Sequence, residues 1–416
     1  MFKRILVIFM ILVSISYADD LFNVEVTNYT NGNSFKAGFS TVSDTFDQLD
    51  VDEIKKEIGY SETDKLGALI DFRGLPVELT FSGGSTKLTL DIPDIGVHEV
   101  FSGSSRDDSV EAMKDWLKSN GSKAVEDMMK KLAEVSPVDP LAGNPNSLMA
   151  TTVTNDFDIG FTNTATKLSS AISSSATGTT SANDMMVSAS YNNVEVDGKK
   201  SKLYTLPLSY SINFDRNRDE KVIFYIPVTY TEVEGAKGMS LGFKVGYQRP
   251  VTEDWTLTPT IGYSATGSVD LGTLAQLGST SLISCYDFHP TDSLTLSMGN
   301  MIGYYTTVKL YSGEYAYDPG ISNTVFRNAL MLDIPTDSFI NHTSFEIFVI
   351  DTRYTGTKLY IDTYQEYGIA YGFDRISEEL LGENLKMLSK KSFKVGVTYL
   401  NADKADGFKI NLGYVF

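Results

Sequence analysis

The C-terminal half of the chain carries large apolar side chains at every second position, and this alternation limits the possible folds more than any other feature. From residue 408 to residue 416 the apolar positions alternate with Lys409, Asn411, Gly413 and Val415. Successive residues of a strand face opposite sides, so such a segment has one apolar face and one mainly small or polar face. The same pattern recurs over residues 204–214, 222–230, 241–247, 255–263 and 393–399.

The length of these stripes favours a membrane barrel over a soluble β-sandwich, in which strands also alternate. A tilted strand needs about nine to eleven residues to cross a bilayer, and several stripes approach that length. Small residues, polar residues and glycines occupy the opposite face, as a wet barrel interior requires. The sequence therefore predicts a mainly β chain in which residues 183–416 form a transmembrane antiparallel β-barrel.

We predict about twelve strands in this barrel. The eighth candidate is weak because Arg327 or Asn328 would interrupt it, and the tenth is weak because Asp362 and Glu366 crowd it. The polar connection 374–391 before the eleventh strand resembles a short amphipathic helix, and we assign it no role. The expected strand starts are Met185, Lys202, Lys221, Met239, Asp254, Thr280, Ser293, Asn323, Thr343, Leu359, Lys391 and Ala405.

The first eighteen residues have the three parts of a secretory signal. Lys3 and Arg4 supply positive charge, residues 5–15 form an apolar run, and Ser16-Tyr17-Ala18 ends the segment in a small-x-small pattern. A membrane anchor is the alternative, but a helical span needs about 20 apolar residues. We therefore expect export, with a signal peptide over residues 1–18 that is cleaved ahead of Asp19.

Composition and charge exclude several classes of protein. The 416 residues include 35 Lys and Arg against 53 Asp and Glu, which gives a formal net charge of −18. Affinity for nucleic acid relies on clustered basic residues, so no nucleic-acid partner is expected. A single cysteine cannot support a disulfide scaffold. No stretch beyond the N-terminal run is apolar for long enough to span a membrane as a helix, which excludes an α-helical membrane protein.

Residues 19–145 do not alternate in this way, and we predict that they form a small acidic α+β domain outside the membrane. Acidic residues at 107 and 108 would begin a helix, because they lie at the positive end of its dipole. A second helix is expected from about Ser122 to Val135, with Met128 and Met129 as core filler. Short strands are expected over residues 66–72, 77–81 and 87–92.

Residues 146–182 join the two parts and are rich in Ser and Thr. An extended, turn-rich segment from Pro137 to Asn146 precedes them. Apolar residues between Leu148 and Ile172 then recur at roughly helical spacing. A helix lodged in a wet barrel and an ordinary disordered linker explain this segment equally well.

The last strand resembles the C-terminal sorting signal of Gram-negative outer-membrane β-barrel proteins. The resemblance implies outer-membrane lipid around the barrel and recognition of this strand by the barrel-insertion machinery. Twelve strands behind a polar helical linker also resemble the β-domains of autotransporters, on architecture alone. The residues that carry the sorting resemblance are Phe408, Ile410, Leu412, Tyr414 and Phe416.

No motif in the sequence indicates catalysis, a cofactor or a metal site, and we do not expect an enzyme. The chain lacks a phosphate-binding Gly-Lys-Ser/Thr loop, a dinucleotide glycine pattern and a Cys/His set at metal-ligand spacing. A hydrolytic site at His342 is conceivable, because outer-membrane hydrolases use His with Ser at the barrel rim. His342 lies near Ser338 and Ser344, but no family motif surrounds it.

We predict passage across the outer membrane as the function. The chain would act either as a solute pore gated by residues 146–182 or in autotransporter-like export of its N-terminal region. In a pore, Lys244, Lys394 and Lys409 would line the lumen and tune ion selectivity. A surface-displayed adhesin or structural protein anchored by its barrel is one alternative, and an outer-membrane hydrolase is a second. The oligomeric state is not predicted.

Overall fold

The chain folds into an N-terminal α+β unit followed by a closed β-barrel, which confirms the predicted fold class. The signal segment, residues 162–183, the connection 374–391, His342 and Phe416 lie outside the described residues, so the predictions made for them are not tested. The computed structural model describes residues 20–47, 51–119, 122–161, 184–214, 217–291, 294–312, 315–336, 343–373 and 392–415.

The N-terminal unit is a six-stranded antiparallel sheet with strand order β2-β1-β3-β4-β5-β6. The helix Ser122–Val135 has the bounds predicted for it, and the helix before it begins at Arg106, one residue before the predicted start. The strands are β1 Phe22–Asn28, β2 Ser34–Phe39, β3 Leu66–Phe72, β4 Leu75–Phe81, β5 Leu88–Ile92 and β6 Val97–Phe101. The helices are α1 Val42–Asp47, α2 Val51–Glu57, α3 Arg106–Ser119 and α4 Ser122–Val135, with a 3₁₀ turn at Pro93–Ile95.

One face of this sheet packs against α3 and α4. Val77 and Leu90 on the strands and Met113 and Leu132 on the helices are almost fully buried in one apolar cluster. The sequences of both helices are amphipathic, because only the stripe that faces the sheet needs to be apolar. Most of the hydrophobic core of this unit therefore comes from its own sheet and helices. We call residues 20–135 the cap domain.

The barrel contains twelve antiparallel strands among the described residues, and the last strand pairs with the first. A small hairpin, β14 Leu310–Ser312 with β15 Tyr315–Tyr317, lies in one connection. The barrel strands are β7 Asp184–Val196, β8 Lys199–Phe214, β9 Asn217–Val233, β10 Ala236–Pro250, β11 Trp255–Ser268, β12 Thr273–Thr291, β13 Leu294–Thr307, β16 Ser322–Pro335, β17 Thr343–Gly356, β18 Thr363–Phe373, β19 Ser392–Ala402 and β20 Ala405–Val415.

Eleven of the twelve predicted strand starts lie within four residues of the observed ones, and β12 is the exception. It begins at Thr273 instead of Thr280. Ala275 and Leu277 face inward at this end and are buried in an apolar cluster. Because the inward face is apolar here while Gln276 and Gly278 lie on the outward face, the alternation that revealed the other strands is lost.

The barrel exposes its apolar stripes and buries its polar ones. Leu241, Ile261 and Tyr399 are 57%, 66% and 48% exposed on the outside. Thr258 and Ser264 are buried on the inside. Since the first and last strands pair, every strand has a neighbour on both sides, as hydrocarbon surroundings require.

The two ends of the barrel differ in what they carry. The chain enters the barrel at Asp184 and leaves it at Val415 on the same end, which we call the terminal mouth. The opposite end carries tight hairpins, including Asp197-Gly198 and Glu234-Gly235, in which all four residues have positive φ. Such turns match the right-handed twist of the strands they join. The cap domain covers this end, which we call the capped mouth.

Candidate functional site: a helix in the barrel lumen

A buried strap leads the chain from the cap domain into the barrel. This strap, residues 136–146, ends at Asn146, whose Nδ2 donates to the Ser201 carbonyl at 3.2 Å and to Ser201 Oγ at 3.0 Å. Ser147 then caps the next helix, because its Oγ accepts a hydrogen bond from the Ala150 amide at 3.3 Å. Helix α5, Leu148–Gly160, follows inside the lumen. Its 13 residues extend for about 20 Å.

Helix α5 lies against one side of the lumen, formed by β9 to β13. Glycines on that wall allow the close approach. A Cβ placed on Gly246 would lie 2.6 Å from Ile159 Cγ2, and one placed on Gly299 would overlap the Phe161 ring. On the helix side, a Cβ on Gly160 would lie 2.6 Å from Ile283 Cβ. The fit of helix to wall therefore depends on small residues on both partners.

A fully buried ion pair joins α5 to this wall. Lys244 Nζ on β10 lies 2.6 Å from Asp156 Oδ1 and donates a second hydrogen bond to the Thr152 carbonyl at 2.9 Å. Neither charged side chain is exposed to solvent. Lys244 thus faces the lumen, but its ammonium group is bound to α5 and does not border the open space beside the helix.

A second buried cation also contacts α5. Arg327 on β16 pairs with Glu366 on β18 through Nη2 and Oε2 at 2.6 Å, and its Nη1 donates to Thr352 Oγ1 at 2.6 Å. The guanidinium carbon is 5.2 Å from the centre of the Phe157 ring of α5. Arg327 and Glu366 made two of the strand predictions weak, because each places a charge in a candidate strand. The structure shows why both charged residues are tolerated in these strands. Each neutralises the other on the lumen face.

A cavity of about 250 Å³ remains between α5 and the wall formed by β7, β8 and β16 to β20. It extends from Pro145 near the capped mouth to Gly413 near the terminal mouth. Lys394 and Lys409 both border it. Lys394 pairs with Glu346, whereas Lys409 forms no ion pair with any residue that the structure describes. Whether either lysine tunes ion selectivity stays a prediction.

The cap domain is fastened to the capped mouth by a buried ion pair. Arg73 Nη1 at the β3–β4 turn lies 3.2 Å from Asp139 Oδ1 in the strap, and both side chains are essentially unexposed. Asp139 Oδ2 also accepts hydrogen bonds from the Leu141 and Ala142 amides at 3.1 Å. Burial lowers the pKa of Arg73 and raises the pKa of Asp139, while the attraction between them opposes both shifts.

Barrel connections at the capped mouth bind the cap domain and the strap directly. Lys358 Nζ lies 2.6 Å from Glu134 Oε1, and the Tyr360 amide donates to the Ala133 carbonyl at 2.8 Å. The Ile361 amide donates to the Gly143 carbonyl at 3.0 Å. The apolar core of the cap domain also includes three barrel residues, Val233, Ala236 and Leu271. The domain and the barrel therefore share one hydrophobic core at this mouth.

The remaining predicted site residues divide between described and undescribed positions. Phe408, Ile410 and Leu412 of the sorting resemblance point outward on β20, with 40%, 38% and 42% exposure. The Tyr414 backbone belongs to β20. Ser344 is buried, and the hydrolytic hypothesis at His342 falls on a residue outside the described ranges. Within the described ranges no cluster of His, Cys, Asp and Glu could hold a metal ion. No described helix is long and apolar enough to cross a bilayer.

Sequence reasoning missed the partners that hold α5, although one signal was present. Asp156 lies three positions from Val153 and from Ile159 on a helix expected near the lumen, and Lys244 lies in a glycine-rich strand. A charge in such surroundings requires a counter-charge. The two residues are 88 positions apart in sequence, so no local pattern pairs them.

Comparisons with known proteins give similarity of shape alone. No family model matches the chain, and no curated protein matches it. Solved structures that it resembles are outer-membrane barrels. The β-domain of the Bordetella autotransporter BrkA has a TM-score of 0.42 and 11% identity, over 57% of this chain and 99% of that one. The translocator domain of the autotransporter NalP from Neisseria meningitidis has a TM-score of 0.40 and 10% identity, over 61% and 95%. An outer membrane channel from Pseudomonas putida F1 has a TM-score of 0.39 and 11% identity, over 57% and 96%.

Proposed function

We propose that this chain is an outer-membrane β-barrel that carries its own N-terminal cap domain across the membrane and keeps it docked at the far mouth. One observation carries the proposal. The cap domain covers the mouth opposite the one at which β7 begins and β20 ends, and α5 lies in the lumen between them. This arrangement agrees with autotransporter-like export, one of the two modes of passage that the sequence predicts.

The path of the chain supports passage through the lumen. From the capped mouth the strap enters the barrel, and Phe161 at the end of α5 lies against Gly299, well inside the lumen. The next described residue, Asp184, begins β7 at the terminal mouth. If the termini face the periplasm, as the sorting resemblance implies, the cap domain lies outside the cell.

Labelling of single cysteines on intact cells tests this orientation. Lys123→Cys places a thiol on the exposed part of α4, where the lysine side chain is 72% exposed. Thr252→Cys is the matched control in an exposed turn at the terminal mouth. A membrane-impermeant maleimide should label K123C on intact cells and T252C only after the outer membrane is permeabilised. The native Cys285 is buried and should contribute little background. Labelling in the reverse order would refute the proposal.

Solute passage beside α5 is the second candidate, and the cavity is the observation that favours it. Lys409 borders this space without an ion-pair partner among the described residues. In planar bilayers we expect Lys409→Glu to shift the reversal potential toward cation preference, since it replaces a positive lumen charge with a negative one. Lys309→Glu, at an exposed position in a barrel connection, is the control. An unchanged reversal potential would remove Lys409 from the conducting path.

Two further hypotheses remain, a surface adhesin and a solute pore gated by movement of α5, and the contacts of α5 argue against the second. Display of the cap domain is compatible with an adhesin or a structural surface protein, and the labelling experiment also tests that display. The contacts of α5 make it a fixed occupant of the lumen, because Lys244 and Asp156 are both buried and bound to each other. We therefore do not propose that α5 itself moves as the gate of a solute pore.

A further inference from the structure

A row of polar side chains crosses the outer face of the barrel. Each member lies opposite the next in the cross-strand register, on neighbouring strands from β12 to β19. Asn328 shows the direction of the row, because Arg327 and Ala329 on either side of it are buried on the lumen face. We call this row the polar stripe, and it consists of Ser284, Asn300, Asn328, Asp351, Gln365 and Asn401.

The polar stripe runs obliquely from the capped mouth into the apolar band of the barrel. Barrel strands tilt by about 35–45°, so a row that crosses them changes height. Asn401 lies at the end of β19 near the capped mouth, where polar residues are expected. Asn300 and Asn328 instead lie in the middle of β13 and β16. The outward residues next to Asn328 along its strand are Phe326 and Leu330, with 41% and 47% exposure.

The members of the stripe satisfy one another only in part. Asn300 Nδ2 donates to Asn328 Oδ1 at 2.8 Å. Asp351 accepts hydrogen bonds from Arg353 Nε at 2.8 Å and from Gln365 Nε2 at 2.9 Å. No other hydrogen bond joins either asparagine to a described residue. An amide has two N–H donors and one acceptor oxygen, so Asn328 keeps its donors and Asn300 keeps its oxygen without a partner in the described chain.

These two amides are out of place on a surface that faces lipid. Asn328 was one of the residues that made the prediction of β16 weak, and the pairing of Arg327 with Glu366 inside the lumen does not account for it. On the opposite side of the barrel, the outward positions at mid-height on β8 hold Leu206 and Leu208. Lipid chains offer no hydrogen-bond partner, and a polar group left without one in hydrocarbon is costly. A protein partner at this height explains why the amides are tolerated.

We propose that the polar stripe is the contact surface of a homodimer within the membrane. The two asparagines complement a second copy of themselves, because the Nδ2 of Asn328 in each copy can donate to the Oδ1 of Asn300 in the other. A two-fold axis along the membrane normal forms both hydrogen bonds at once, since such an interface repeats every contact. The ion pair of Asp351 with Arg353 leaves this surface without net charge, so two copies meet without repulsion. This interface goes beyond the proposed export of the cap domain.

Cysteine cross-linking in isolated outer membranes tests the dimer. Asn328→Cys places a thiol on the stripe, and Leu208→Cys is the matched control on the opposite side of the barrel, where the leucine is 43% exposed. With a short bis-maleimide we expect about tenfold more covalent dimer from N328C than from L208C. The native Cys285 is buried, and the unsubstituted chain gives its background.

Three results of this cross-linking would overturn the proposal. They are equal yields from the two variants, no dimer from N328C, and a product that joins N328C to a different protein. Asn300→Cys is used in the same way if N328C lacks the heat-dependent gel mobility of a folded barrel.

Removal of both amides tests whether their hydrogen bonds hold the dimer. The double variant Asn300→Leu, Asn328→Leu should keep heat-dependent gel mobility, because leucine suits a position that faces lipid. Its association in detergent, measured by sedimentation equilibrium, should be about tenfold weaker, which is the scale of hydrogen bonds within membranes. Gln276→Leu, which removes an outward amide of β12 outside the stripe, should leave association unchanged. If the folded double variant associates as tightly as the native protein, the interface is assigned wrongly, whatever the cysteine labelling shows about orientation.

Discussion

Lys244 and Arg327 are the two cations that the barrel buries most completely, and they are neutralised in different ways. Lys244 depends on Asp156 of α5, whereas Arg327 is paired with Glu366 of the barrel wall itself. Loss of contact with α5 would therefore leave Lys244 as an uncompensated buried charge while Arg327 kept its partner. This asymmetry makes Lys244 the residue that couples the stability of the barrel to the presence of the helix.

Removing the acidic partner of Lys244 should destabilise the barrel strongly. We expect Asp156→Asn to cost about 3–5 kcal/mol, because it leaves a buried ammonium group without a counter-ion. Lys244→Met combined with Asp156→Asn should recover much of this loss, because no buried charge then remains. The temperature at which the folded gel band disappears gives the readout. Asp403→Asn in an exposed turn is the control, and equal melting of D156N and D403N would contradict the account.

At the scale of elements, the strands could be predicted because each carries its own signal. Alternation along residues 204–214 or 393–399 needs no partner to be recognised, since a strand with one wet face must alternate. β12 lost part of that signal where Ala275 and Leu277 face the filled end of the lumen. The alternation therefore depends on whether the lumen at that height is wet or is filled by apolar side chains.

Helix α5 and its anchors could be predicted only in part. The apolar spacing after Leu148 favoured a helix, and Ser147 supplies its N-cap, but a disordered linker remained equally good from the sequence. Burial of α5 depends on glycines in other elements, such as Gly246, and on the distant Lys244. These contacts are set by strand register around the barrel, which local composition does not encode.

The strap should be sensitive to any side chain at Gly143. This glycine has φ of +96°, and a Cβ there would overlap the Ala133 carbonyl oxygen. We expect Gly143→Ala to destabilise the docked strap by about 2–4 kcal/mol, from backbone strain and overpacking. Gly84→Ala is a matched control, because Gly84 has φ of +66° and open space around it. Limited proteolysis of the cap domain should accelerate in G143A far more than in G84A, and equal rates would refute the clash.

At the scale of the whole molecule, the junction between cap domain and barrel should weaken in acid. Hydrogen bonds from Lys358 and then Lys131 hold the pKa of Glu134 below its ordinary value of 4.5. A lowered folded-state pKa gives stability that is complete above the unfolded value and is lost as pH falls through the folded value. Lys358 is largely exposed, so the effect is at most about 1 kcal/mol.

Fluorescence of Trp116 can follow this effect in a Trp255→Phe background, since Trp116 packs against Phe101 in the cap domain. The thermal midpoint of the cap domain should begin to fall as the pH drops to about 4.5, the unfolded value, and should continue to fall through the lower folded-state pKa. Glu134→Gln should flatten part of that fall. An identical fall in the variant would assign the pH dependence to other carboxylates.

The closed barrel should resist detergent until it is heated. Every barrel strand has hydrogen-bonded neighbours on both sides, so no open edge is available for unfolding to begin. We expect different gel mobility for boiled and unboiled samples prepared from outer membranes in mild detergent. Recovery of the protein in a soluble fraction, without a mobility shift, would mean that the outward apolar stripes do not face lipid.

The core that the cap domain shares with the barrel affects the order in which the two parts of the chain can finish folding. Val233, Ala236 and Leu271 complete the apolar cluster of the domain, and the hairpins that carry them take shape only as the barrel forms. The N-terminal part of the chain is synthesised first, yet its core is completed last. During that interval we expect the domain to be only marginally stable, because part of its core is missing, and this would suit the passage through the barrel that we propose.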